Sequence, residues 1–468
     1  MPSPVYRALR ALVRALVRLF FRDVAVEGRY RVPTDRGGLF VAWHPNGIID
    51  PALILAAAPA PVVFGARDGL LRWPLLGAIM RGLGTVPIYR SQDQDAMTPE
   101  ARRAANAASL GALAEAVAGG AYSALFPEGV SHDRPGPVEI RHGAARLWLL
   151  AAAAGQGPPP ALVPVGLHYQ AKSVFRSDVV VRFLPPIDAA GLTRGRDETE
   201  AAEALTDAIE AALDRAAHAL DDWDEHRLMR RAHALLRAEG AAREGRRASS
   251  DQALAGQVAG ASAVWERYQA LRRSHPDETA ALRADLADYD RRLGRLGLDS
   301  TELDAPPRIG SPLRVVGIGL AVAVAAVLAP VLLLWGLVVN APPYWALKPL
   351  ARRFASAEKD EATIKLLGGL VLFPLAWAVA SALVALGVVR IWEPVGVSLA
   401  PVAAAFAAGA LAAVGGGLVI RAVELAQAAA RNVRVQLVRG GLGERLAGLR
   451  RDRAALYDRI VALATQTA

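Results

Sequence analysis

Between Val24 and about Pro186, short apolar runs alternate with longer stretches whose apolar positions recur every three or four residues. The runs "GGLFVAWH", "APVVFGA", "GTVPIYR", "AYSALFPEG", "ALVPVGLHY" and "SDVVVRFLPPI" read as buried strands. The stretches "DPALILAAA", "LRWPLLGAIMRGLG", "PEARRAANAASLGALAEAVAGG" and "RHGAARLWLLAAAAG" read as helices. Strands alternating with helices predict an α/β fold whose chemistry sits on loops at the strand ends.

The pattern differs on either side. Residues 1–23 place Arg7, Arg10, Arg14, Arg18 and Arg22 at spacings of three and four among Leu, Val and Phe, which predicts an amphipathic membrane-surface helix with its arginines at headgroup level. An arginine in every turn leaves no unbroken apolar region of about 7–15 residues, so a cleaved export signal is not expected. Residues 191–310 are rich in Ala, Arg, Asp and Glu at helical spacing and predict helical hairpins. His218, His226, His233 and His275 fall here without zinc-like spacing.

The last third carries charge-free runs at 315–339, 366–389 and 394–420, each longer than the roughly 20 residues that span a hydrocarbon core. Three full crossings would carry Lys348, Arg352, Arg353, Lys359 and the basic helical tail, 426–468, to the far side, against the positive-inside rule. Within a membrane-embedded region at 311–425, the segment 313–341, broken at Pro330 and followed by "NAPPYW", is therefore expected to be re-entrant. The other two runs then form a hairpin, with both flanks and the sheet domain cytoplasmic.

Composition agrees with a soluble part joined to membrane segments: 53% of residues are hydrophobic, yet 21% are charged. The absence of cysteine excludes disulfides, thiolate metal sites and a cysteine nucleophile. The net charge of +9 fits nucleic acid, anionic lipid or a phosphorylated substrate, and its clustering beside apolar segments points away from nucleic acid. Neither a P-loop nor a Gly-x-Gly-x-x-Gly fingerprint is present, and a Gly-x-Ser-x-Gly elbow is missing, which argues against nucleotide use and serine hydrolysis.

His44 ends one predicted strand, ahead of a Pro-Asn-Gly turn, and Asp50 falls in the first turns of the next helix. Residues six apart on a regular helix face different ways, so the two meet only if the loop folds back. A carboxylate on one imidazole nitrogen would leave the other to accept a proton from a hydroxyl. On the residues alone, a catalytic base and a polar strand end are both open.

The remaining loops, "GTVPIYR", "FPEGVSHDRPGP", "VPVGLHY" and "FRSDVVVRF", follow in order. Together with "HPNGIID" they resemble the motifs of the phospholipid/glycerol acyltransferase family, whose lysophosphatidic acid acyltransferase-like domain is a mixed sheet flanked by helices. The resemblance spans roughly Arg22 to Ile187 strongly and the remainder loosely, marks 24–190 as the acyltransferase domain, and implies that His44 is the base and Asp50 its orienting acid. It further implies that Arg90, Glu128, Gly129 and Arg176 bind the acceptor and its phosphate. Asn46, Gly47, Ser131, His132 and Pro164 would support them, with no metal. Five residues, Pro45 to Ile49, separate His44 from Asp50 where the family has four, and Val130-Ser131-His132 replaces its Thr-Arg-Ser. Both departures are similar to the glycerol-3-phosphate O-acyltransferase subgroup, as are "YRSQD", "RHGAARL" and "ATIKLLGG". His132 is expected to be a loop residue bonding Asp133 or nearby backbone, and Arg141, His142 and Arg146 either meet phosphate or pantetheine or form a solvated face.

The resemblance implies a bilayer-bound enzyme without cofactor that moves a fatty acyl group from acyl-CoA or acyl carrier protein to glycerol 3-phosphate. It implies a site on the cytoplasmic face of a bacterial inner membrane. Lysophosphatidic acid as acceptor, in the second acylation step, is one alternative; a non-catalytic lipid-binding membrane scaffold is the other.

Overall fold

The computed structural model describes residues 2–89, 98–246, 248, 254–304, 330–355, 358–392, 400–441 and 443–466. The apolar runs of the first half pair into one sheet of seven strands: β1 (Asp23–Glu27), β2 (Gly38–Ala42), β3 (Val62–Arg67), β4 (Val86–Ile88), β5 (Tyr122–Leu125), β6 (Ala161–Tyr169) and β7 (Asp178–Phe183). Their order is β1-β7-β6-β2-β5-β3-β4. β6 and β7 run antiparallel and the other neighbours are parallel, so the sheet is mixed. β1 was not among the expected strands. It is a short edge strand whose one neighbour, β7, comes from much later in the chain.

β2 is central, and every one of its residues is buried, which is why "GLFVA" reads as an unbroken apolar run rather than an alternating one. On one face Leu39 and Val41 pack with Leu113 and Val117 of α5 (Pro99–Ala118), Leu147 and Trp148 of α6 (Gly143–Ala154), and Leu205, Ile209 and Leu213 of α8 (Glu198–Ala217). On the other face Phe40 stacks on Tyr122 at 4.3 Å and leans on Phe183 at 5.3 Å. The C-terminal end of this strand, between β5 and β6, is where an open α/β sheet places its ligands.

The amphipathic N-terminal stretch is α1 (Pro4–Phe20), capped by Ser3 with proline in its first turn. Two arginines of its stripe turn inward rather than toward a membrane surface. Arg10 Nε donates to the Leu55 carbonyl and Arg14 Nε to that of Ala56, both at 3.0 Å, and Arg10 also reaches Ala58 O. These are the carbonyls that end α2 (Ile49–Ala57), where a helix leaves acceptors unpaired and carries partial negative charge. Arg7, Arg18, Leu12 and Leu19 are exposed. The helix α8 opens on a full capping box, Asp197 with Glu200, and closes at His218, which takes a left-handed conformation (φ +53°).

The chain divides into two compact units, and the sheet belongs to the first, made of 1–230, 252–267 and 357–363. The second comprises 231–251, 268–356 and 364–468. After α9 (Trp223–Arg243), α10 (Leu254–Ser274) and α11 (Pro276–Leu296) come α12 (Pro330–Phe354), α13 (Glu358–Trp392), α14 (Ala400–Gly441) and α15 (Gly443–Gln466). Among the described residues, three helical segments, Pro330–Phe354, Glu361–Arg390 and Ala400–Arg431, are long and apolar enough to cross a membrane. α12 and α14 approach at two glycines: a Cβ on Gly336 would fall 2.6 Å from Gly415 Cα, so only small residues allow this crossing.

The expected re-entrant segment lies outside the described residues over 313–329. Its remainder, from the expected break at Pro330, opens α12, which continues through Pro342 and Pro343 of "NAPPYW" and on through Pro349. Neighbouring side chains support the helix there. Asn340 Nδ2 donates to the carbonyls of Gly336 (2.7 Å) and Ala412 (2.8 Å), and Trp377 Nε1 donates to Asn340 Oδ1 at 2.9 Å.

Candidate active site

His44 follows Trp43 off the end of β2, and the chain turns at once: Asn46 O accepts from Ile49 N–H at 3.0 Å, and Gly47 sits at φ +45°. That turn folds the loop back. Asp50, in the first turn of α2 and fully buried, thereby meets His44 Nδ1 with Oδ2 at 2.8 Å. The same oxygen accepts the Asn46 N–H at 2.7 Å. With Nδ1 held by the carboxylate, Nε2 is the nitrogen left to accept a proton, and the imidazole stacks on Phe126 at 4.0 Å, which fixes its plane.

The second oxygen of Asp50 accepts from the Tyr169 hydroxyl. Tyr169 ends β6, and burial, followed by the Asp50 charge, holds its phenol well above the ordinary range, so the hydroxyl keeps its proton and donates it. No sequence signal pointed to Tyr169, which lies 119 positions from Asp50. Its place at the end of the strand beside β2 is the feature that could have suggested it.

Glu128 is also buried, and its carboxylate serves the loop that carries His44. Oε2 accepts the His44 N–H at 2.7 Å; Oε1 accepts from His132 Nε2 at 2.6 Å and from Val138 N–H at 3.0 Å. The Arg134 N–H donates to His132 Nδ1 at 3.2 Å, so the proton of His132 is on Nε2. His132 N–H in turn donates to the His44 carbonyl at 3.1 Å. Thus His132 bonds Glu128 and nearby backbone, the latter one of its two expected partners, whereas the other, Asp133, pairs with Lys172. Gly129 takes φ +71° in the turn after Glu128, a conformation that favours glycine.

The other expected residues spread out. Asn46 is buried, donates from Nδ2 to Lys172 O at 3.0 Å, and has no partner for Oδ1. Arg176 has φ +63°, its N–H donates to Phe20 O at 2.7 Å, and its guanidinium donates to Phe21 O at 3.3 Å. Pro164 lies within β6 opposite Val41 of β2, and Ser131 is partly buried in the loop after Gly129. Arg90 lies outside the described residues. Arg141 and Arg146 are exposed, and His142 Nδ1 bonds Thr206 Oγ1 at 2.9 Å, on α8. Ile48 N–H donates to Thr363 Oγ1 at 3.3 Å, within the same unit.

A buried acid bonded to one ring nitrogen of a histidine at the C-terminal edge of a central strand leaves the other nitrogen able to exchange a proton with a hydroxyl. Residues 23–168 match the model of the Acyltransferase family, and this part of the chain is an acyltransferase-family domain. Among curated proteins, the chain is similar to glycerol-3-phosphate O-acyltransferase 2 of Saccharomyces cerevisiae, at 45% identity over 14% of this chain and 9% of that protein. It is also similar to an uncharacterized acyltransferase of Schizosaccharomyces pombe, at 23% identity over 45% of this chain and 43% of that protein. The chain thus spans less than half the length of these curated relatives. Among solved structures, the lysophosphatidic acid acyltransferase PlsC of Thermotoga maritima aligns with a TM-score of 0.33 and 20% identity, over 45% of this chain and 78% of that one.

Proposed function

We propose that this chain is a membrane-bound O-acyltransferase that moves a fatty acyl group from an acyl-CoA or acyl carrier protein thioester to a hydroxyl of glycerol 3-phosphate. The observation that carries this reading is the contact between His44 Nδ1 and the buried Asp50 carboxylate, which leaves Nε2 to act as base. His44 Nε2 takes the acceptor hydroxyl's proton as the oxygen attacks the thioester carbonyl; the C–O bond forms, the C–S bond breaks, and the departing thiolate receives the proton. Asp50 stabilises the imidazolium without itself being protonated.

In this reading Glu128 positions His44 through its backbone, and Arg90 and the Gly129 turn meet the acceptor phosphate, with Arg176 as a further contact. The likeness to a glycerol-3-phosphate O-acyltransferase favours glycerol 3-phosphate as acceptor. The three long apolar helices favour a bilayer location, and the basic residues around them favour a cytoplasmic site at a bacterial inner membrane.

The test is acyl transfer by membranes carrying the protein, with palmitoyl-CoA as donor and either glycerol 3-phosphate or lysophosphatidic acid as acceptor. Transfer to the first is expected. Transfer to the second alone moves the assignment to the second acylation step. Transfer to neither, with acyl carrier protein donors included, leaves a lipid-binding scaffold.

A further inference from the structure

Directly beside His44, and within the first unit, lies a cavity of about 480 Å³. Trp43 and Pro45, the two residues that flank His44, form part of its wall. The remainder comes from the end of β6 and the loop after it, the end of α8, and facing turns of α9 and α10. Everything contributed after Tyr169 lies outside the stretch that matches the acyltransferase family.

The lining is amphipathic. Trp223 and Trp265 supply broad apolar faces. Trp223 is fixed by donating from Nε1 to Asp133 O at 2.6 Å, and Trp265 by donating to Ala219 O at 2.9 Å. Between them lie three histidines. His168 stacks near His218, ring centroids 4.7 Å apart, and His218 Nε2 bonds Ser262 Oγ at 2.8 Å. His168 Nε2 and His226 Nδ1 are buried with no hydrogen-bond partner, and His168 as a whole is 8% exposed. Burial, followed by neighbouring histidines and arginines, holds all three well below the ordinary histidine range, so they are neutral. Lys172, Arg227 and Arg230 also line it, and among the described residues no carboxylate does. Lys172 pairs with Asp133 and the exposed Arg227 with Asp224, both outside the lining.

A plain hydrocarbon chain would offer nothing polar to the cations of this wall or to the side-chain amides of Gln170 and Gln257. An arm of short alkyl links separated by amides and a hydroxyl, ending in phosphate, meets each part of this wall: indole faces for the alkyl links, the amides of Gln170 and Gln257 for the polar links, cations for the phosphate. We propose that this cavity holds the phosphopantetheine arm of the thioester donor, threading it between α8, α9 and α10 so that the thioester emerges beside His44. The assignment rests on the acyl-transfer reading for the identity of the donor. Coenzyme A and acyl carrier protein share this arm.

The test uses the full-length protein in detergent. Coenzyme A carrying a diazirine on its pantetheine arm is photolysed with the unmutated chain, and cross-links are expected in 217–230 or 254–265; labelling confined to other segments overturns the proposal. Ala261, which lines the cavity, is replaced in A261F to fill it. The KM for acyl-CoA is expected to rise at least tenfold while that for the acceptor stays within twofold, and Arg230→Gln, at a cation of the lining, is expected to raise the donor KM several-fold. Unchanged donor KM in both variants overturns the proposal and leaves acyl transfer intact. A penalty in A261F that appears only with long acyl chains also overturns it, in favour of the alkyl tail. Cross-linking without any turnover keeps the cavity assignment and sinks the transfer reading. Parallel assays with acyl carrier protein show which carrier supplies the arm.

Discussion

Tyr169 and His44 hold opposite oxygens of one buried carboxylate: the tyrosine donates to Oδ1 of Asp50, and the histidine meets Oδ2 at 2.8 Å. The acid is clamped from both sides, so its orientation toward the imidazole depends on a residue at the end of the adjacent strand. Replacing Tyr169 with Phe removes the donor and keeps the ring. We expect kcat to fall about tenfold, the equivalent of one lost hydrogen bond of about 1.4 kcal/mol, with both KM values nearly unchanged. A variant with wild-type kcat would show that the clamp contributes nothing to the reaction.

Glu128 accepts from three donors at once, the backbone of His44, the backbone of Val138 and the ring of His132. In E128Q the amide brings one oxygen and a pair of its own donors to a place that supplies only donors, so at least one contact becomes donor against donor. Stability is expected to drop by about 1–3 kcal/mol, seen as a lower melting temperature, together with a loss of kcat. A stable variant with only a raised KM for the acceptor would assign Glu128 to acceptor binding instead.

Acidification should weaken the fold through the buried histidines. His218 is lowered to about 3 and His226 to about 4, both by burial first, while in the unfolded chain they titrate near 6.5. As pH falls below about 6.5 the unfolded chain takes up protons that the folded chain does not, so their contribution, complete above that value, is progressively lost toward pH 4. Each costs about 1.4 kcal/mol per pH unit in this window. The melting temperature should fall steadily between pH 7 and 5, and His226→Gln should flatten the slope. A melting temperature constant over that range would contradict the neutral, buried state of these rings.

The arginines of α1 divide by direction. Arg10 and Arg14 end α2, and Arg10→Ala should cost about 1 kcal/mol in stability, read from thermal melting. Arg7 and Arg18 are exposed, and replacing both with Gln should weaken binding of the α1 peptide to anionic vesicles without altering the melting temperature of the full chain. Equal melting behaviour in the two sets would remove this distinction.

Most of the sheet was legible because its strands are periodic features, whereas the His44–Asp50 pairing was implied by the family resemblance, the residues alone leaving it open. Unbroken apolar runs mark buried strands, and a histidine before Pro-Asn-Gly marks a strand-to-helix loop. What stayed hidden depends on contacts between distant segments. Tyr169 reaches Asp50 only because β6 lies beside β2, and β1 exists as a strand only because β7 returns to pair with it. Glu128 was expected at the acceptor, yet its carboxylate is occupied by the loop it supports, a role that residue type alone does not reveal. That α12 runs on through its internal prolines was hidden too, because sequence cannot show Asn340 and Trp377 meeting across helices.

The central claim is that His44, oriented by Asp50, removes the acceptor's proton. The most direct measurement is the single-turnover rate of acyl transfer from palmitoyl-CoA to glycerol 3-phosphate in H44A and D50N beside the unmutated protein, all three matched for melting temperature. A loss of at least a hundredfold in H44A, with a smaller but clear loss in D50N, is the predicted result. A folded H44A that transfers acyl groups at the unmutated rate would contradict the account.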